Sequence, residues 1–81
     1  MDQEVSTIVN FDAPPDRMTA AWLIAVNAQI AAQRGSGSWR DAAHAWAYAA
    51  DLSDKAPSTR AVFVRLAGQG WRAARAAGEV R

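Results

Sequence analysis

No cysteine occurs in these 81 residues. Disulfides and thiolate metal sites are therefore excluded, and stability has to come from packing. Histidine occurs once, at His44, so a metal centre would need carboxylates such as Asp41 and Asp51 around it. An ordinary surface histidine is the simpler reading, and no metal or other cofactor is expected. A long hydrophobic run is also missing. The most apolar window, Met18 to Ala32, falls short of the roughly 20 residues of a spanning helix, and Asn27 and Gln29 interrupt it. Residues 1–16 contain no base, whereas a secretory signal opens on positive charge. A cytoplasmic protein without a membrane span is the resulting expectation. The GSGS stretch at residues 35–38 lacks the lysine and the preceding strand of a phosphate loop. Nothing selects a serine to work with His44, so no catalytic residue is assigned and an enzyme is not expected.

What is present points to a folded helical domain. The chain is 51% hydrophobic with four tryptophans, which separates it from disordered sequences. At this length it hides only about 60% of the surface its unfolded form exposes, and small scaffolds without staples often gain burial by self-association or docking. Alanine is the commonest residue and arginine outnumbers lysine eight to one. That composition suits a GC-rich bacterial, phage or plasmid source. Net charge is +1, but its layout is uneven. Asp2, Glu4, Asp12 and Asp16 occupy the beginning without a base; Arg60, Arg65, Arg72, Arg75 and Arg81 face Glu79 alone at the end. Such asymmetry marks either a polyanion-binding end or two ends that contact one another.

Along the chain, VSTIVNF at residues 5–11 is rich in β-branched and aromatic types, with Val5, Thr7, Val9 and Phe11 alternating against Ser6, Ile8 and Asn10, and reads as a short extended segment. DAPPD ends it, with Asp12 available as a helix cap. A first helix is expected over about residues 15–34. At about 100° per residue, Thr19, Trp22, Leu23, Val26 and Ile30 form its expected core stripe. Ala20, Ile24, Ala28 and Ala31 occupy the other side, leaving Asp16, Asn27 and Arg34 as a narrow polar edge. A helix apolar nearly all round is normally buried on more than one side, so Ile24, Ala28 and Ala31 become candidate protein-contact residues.

Ser38, three residues before Asp41, reads as the cap of a second helix over about 38–52. Trp39, Ala42, Ala43, Trp46, Ala49 and Ala50 form its apolar side. SDKAPS supplies a loop, and Pro57 or Ser58 starts a third helix running to about residue 78. On that helix Arg60, Arg65, Arg72 and Arg75 share one arc opposite Val62, Phe63, Leu66, Gly70, Ala73, Ala74 and Ala77. The arginines extend over roughly 22 Å. Trp71 sits at the edge of the basic arc and is the tryptophan expected to anchor a partner, since binding energy concentrates in Trp and Arg. Guanidinium groups could grip phosphates there, yet any amphipathic helix also needs a polar side. Gly68 and Gly70, inside the same helix, suggest a packing reason, because each costs up to about 1 kcal/mol relative to alanine.

VSTIVNF followed by PPDRMTAAWLIAVNAQIAAQRGSGSWRDAAHAW loosely resembles the ribbon-helix-helix repressors, dimers whose paired strands enter the DNA major groove. The sequence departs from them: its first helix is about two turns longer, Ser6, Ile8 and Asn10 would face the groove without a base, and a third helix is added. The second and third helices resemble a helix-turn-helix pair, but SDKAPS exceeds the usual turn of about three or four residues. Neither family is assigned. The fold expected is all-α: an extended arm over residues 1–14, then a three-helix bundle over 15–81. The function expected is that of a small non-enzymatic regulatory or adaptor protein working through helical contacts with a protein partner or with itself as a homo-oligomer. DNA binding through Arg60, Arg65, Arg72 and Arg75 is the alternative.

Overall fold

Three helices account for most of the residues that the computed structural model describes, which are 16–79. They are α1 (Arg17–Gln33), α2 (Trp39–Asp51) and α3 (Pro57–Ala76). The fold is the expected all-α three-helix bundle. The extended arm, with VSTIVNF, Asp12 and the Pro14-Pro15 pair, lies outside the described residues.

Each helix end has a local chemical cause. Asp16, in extended conformation, begins α1 and its Oδ1 accepts the Thr19 N–H at 2.7 Å. It is therefore the cap, at the position where a side-chain oxygen satisfies an orphan donor. At the other end Gly35, with φ of +78°, lets the chain reverse, and the Ser36 and Gly35 N–H groups return to the Ala31 and Ala32 carbonyls. That is the Schellman arrangement, which favours glycine because a side chain strains the left-handed region. α3 ends the same way: Gly78 has φ of +78°, and Glu79 and Gly78 donate to the carbonyls of Ala74 and Arg75.

The second of these turns has a long-range effect. It delivers the Glu79 carboxylate to the start of α2, where it accepts the Trp39 N–H at 3.1 Å and the Arg40 N–H at 2.9 Å. Ser38 Oγ takes the next donor, Asp41 N–H, at 3.0 Å. All three leading N–H groups of α2 are thus satisfied, two of them by a carboxylate favoured there by the helix dipole.

Packing is organised around α2, which lies against both other helices, while the backbones of α1 and α3 barely approach one another. Its inward residues are Ala42, Ala43, Trp46, Ala49 and Ala50, all buried. α1 contributes Ala21, Ala25 and Ala32; α3 contributes Phe63, Ala67, Gly70 and Ala74. The core is thus alanine with two large aromatic residues, Trp46 and Phe63, whose ring centroids are 5.5 Å apart. Small residues allow close helix approach. Where α3 crosses α2 at Gly70, a methyl placed on that glycine would lie 3.1 Å from the Ala43 Cα and Cβ.

This arrangement corrects the expected core stripe of the first helix. Trp22, Leu23 and Ile30 are not interior; they are 43%, 44% and 39% exposed. α1 has only one helix to lie on, so it can bury only a narrow strip, and the strip that permits closest contact is the alanine one. Val62 and Ala77, expected on the inner side of the third helix, are likewise exposed.

The two glycines of α3 should respond oppositely to substitution. Gly68→Ala, which meets nothing closer than the Arg72 guanidinium at 3.9 Å, should raise the unfolding free energy by up to about 1 kcal/mol. Gly70→Val, forced against the α2 backbone, should lower it by about 1–3 kcal/mol. Urea titration of both variants checks this pair. A second expectation concerns acid. The hydrogen bond from the Thr19 N–H holds the Asp16 carboxyl below its ordinary value of 3.8. Its folded pKa is depressed, so its contribution is present above the unfolded value and is lost as pH falls through the folded one. Relative to Asp16→Asn, the parent chain should lose stability on acidification below about pH 4, as followed by thermal unfolding in a pH series.

Candidate protein-docking surface

α1 and α3 run in the same direction on α2, and between them lies an open apolar furrow. Near their N-terminal ends a cleft of about 370 Å³ is lined by Met18, Thr19 and Trp22 of α1 and Thr59 and Phe63 of α3. Further along, a second cleft of about 220 Å³ is lined by Val26, Gln29, Ile30 and Gln33 of α1, Leu66 of α3, and Trp46. Trp46 spans the helices here. Its Nε1–H donates to Gln29 Oε1 at 2.7 Å, while its ring rests near Phe63. A buried indole normally needs such an acceptor, and the bond fixes where α1 sits relative to α2.

The walls of the furrow continue into exposed surface. Trp22, Leu23 and Ile30 lie partly open, and Ile24, on the opposite flank of α1, is 61% exposed. From Met18 to Gln33 no residue carries a charge. Beyond Arg17, the exposed part of α1 is thus uncharged to the end of the helix, unlike the solvated faces of α2 and α3.

The sequence-derived contact residues are placed differently from one another. Ile24 is open to solvent, whereas Ala28 and Ala31 are half-buried. Ala31 is covered by its own turn: Ser36 and Gly37 donate to its carbonyl, and Gly37 comes so close that an added methyl would stand 2.9 Å from the Ala31 Cβ. Trp71 is half-buried, edge-on to His44 of α2 with centroids 4.9 Å apart and planes at 79°. It braces α3 against α2 and offers only part of its ring outward.

Arg60, Arg65, Arg72 and Arg75 are all exposed. At about 100° per residue, Arg65 and Arg72 stand opposite the buried strip of α3, and Arg60 and Arg75 lie on the side away from the furrow. The basic and apolar surfaces are therefore separate. Among the described residues no three His, Cys, Asp or Glu side chains are grouped as a metal ion would require, and no helix is long and apolar enough to cross a membrane.

The furrow was not anticipated from the residues, although a signal for it exists. Ala21, Ala25, Ala28 and Ala32 repeat at intervals of four, three and four, a strip of small residues along which another helix can approach. Recognising that strip as the contact line would have left Trp22, Val26 and Ile30 outside it.

Because most of Ile24 is open to solvent, Ile24→Ser should change the unfolding free energy by no more than about 0.5 kcal/mol. Trp46→Ala should cost about 3–5 kcal/mol, and chemical denaturation of the two variants distinguishes an external apolar residue from an internal one. No family model, curated protein or solved structure matches this chain.

Proposed function

We propose that this chain is a non-enzymatic protein-binding module, with a regulatory or adaptor role, whose working surface is the uncharged exterior of α1 together with the furrow it shares with α3. One observation carries the reading: Trp22, Leu23, Ile24 and Ile30 of α1 lie exposed while the residues it buries are alanines. A folded chain gains little from exposing Trp22, Leu23 and Ile30, on one flank of α1, to water. At about 25 cal/mol per Å² of apolar surface, covering that face with another helix is favourable. Contiguous apolar patches of this kind are the usual mark of a contact site.

The exposed arginines of α3 support a second reading, in which they contact nucleic-acid phosphates. Its distance from the apolar surface makes the two readings separable. A photo-crosslinking amino acid at position 23 should give discrete protein adducts in host cells, and one at position 65 should give none. The opposite pattern, nucleic-acid adducts from position 65 and nothing from position 23, would transfer the function to the arginine face. In that case duplex binding should weaken steeply with salt, as each neutralised phosphate releases counterions.

A further inference from the structure

We propose that the partner covering the outer face of α1 is α1 of a second copy of this chain, lying antiparallel to the first. The proposal rests on the protein-binding reading above and adds the identity of the occupant and its direction.

The outward stripe of α1 has a pattern suited to pairing with itself. Asp16, Leu23, Asn27, Ile30 and Arg34 fall within an arc of about 60° at helical spacing, and all five are exposed. Ala20 lies at the edge of the same stripe. Its interior is apolar apart from Asn27, and its two ends carry opposite charges, roughly 27 Å apart. That charge order selects the direction. A two-fold axis beside Ala25 sets Asp16 opposite Arg34, Ala20 opposite Ile30, and Leu23 opposite Asn27. Each charge then meets its opposite, twice per dimer. A parallel pair would set Asp16 on Asp16 and Arg34 on Arg34. Arg17, the other charge at this end, is about a quarter turn away and stays on the flank.

The terminal charges also set the register, since sliding one helix by a turn, about 5.4 Å, would draw Asp16 away from Arg34 at both ends of the pair. A symmetric interface also suits the chain's economy. Its own core consists of alanines around Trp46 and Phe63, and apolar area gained between copies adds to a small intramolecular total.

The test uses the full chain. Sedimentation equilibrium over the micromolar range should give twice the 8.7 kDa chain mass. Leu23→Glu should return the mass to that of one chain with unchanged helical circular dichroism, while Ile24→Glu, on the flank, should leave the dimer intact. Arg34→Asp should raise the dissociation constant about fivefold at low salt, an effect that shrinks as salt is added. Direction is read by oxidation, made simple by the absence of native cysteine. Ala20→Cys mixed with Ile30→Cys should cross-link, and neither variant should link to itself. This arm decides the matter even if Leu23→Glu fails to fold.

Self-linking of Ala20→Cys would overturn the antiparallel pairing. A single-chain mass across the whole range would overturn the second copy altogether. A position-23 photo-adduct with a different protein would then leave the protein-binding reading standing, whereas absence of any adduct would remove both.

Discussion

The indole of Trp46 is the constraint on which the other packing depends. It is the one side chain of α2 that is buried, hydrogen-bonded to α1 through Gln29 and stacked near Phe63 of α3. Alanine methyls contribute little transfer energy each, so two aromatic residues supply much of the apolar burial that holds three helices together. The alanines matter for a geometric reason. By bringing the backbones close they allow a single indole to reach both neighbours, and the Gly70 contact with Ala43 shows how little space remains between α2 and α3. Enlarging those small residues would separate the helices and strand the indole.

An interior built this way sends the bulky apolar side chains outward. In a larger domain a further layer would cover Trp22, Leu23, Ile24 and Ile30. Here the α1 backbone packs closely on one helix and leaves much of its circumference open, and its freedom from charge over Met18–Gln33 removes the usual penalty for bringing another apolar surface against it. The surface most suited to contact is thus a direct result of the core's composition.

Three helices and several of their caps could be read from the residues themselves. Ser38 before Asp41 and Pro57 at a helix start act locally, and local chemistry determines them. The inward side of α1 could not be read the same way. Periodicity ranks faces by hydrophobicity, and by that measure Trp22, Leu23 and Ile30 outweigh Ala21, Ala25 and Ala32. The packing rewarded closeness of backbones instead. Glu79 was equally opaque, since its role depends on Trp39 and Arg40, some forty positions away, and on the reversal at Gly78 that aims it. Of the residues singled out for contact, Ile24 and the four arginines lie exposed, as their positions on a helical projection suggested. Ala31 and Trp71 are partly covered by Gly37 and His44, groups no projection of a single helix includes.

The Glu79 clasp divides the molecule into unequal parts. With its carboxylate on the Trp39 and Arg40 amides, the α2–α3 hairpin is fastened at both its loop and its open end, whereas α1 is held along one side only. The segment bearing the apolar exterior is consequently the one with least anchorage, and its detachment is a smaller opening than loss of the hairpin. Whatever grips α1 favours the closed state over the frayed one by mass action. Durability of the whole then becomes a function of how much ligand surrounds it, so occupancy and lifetime rise together.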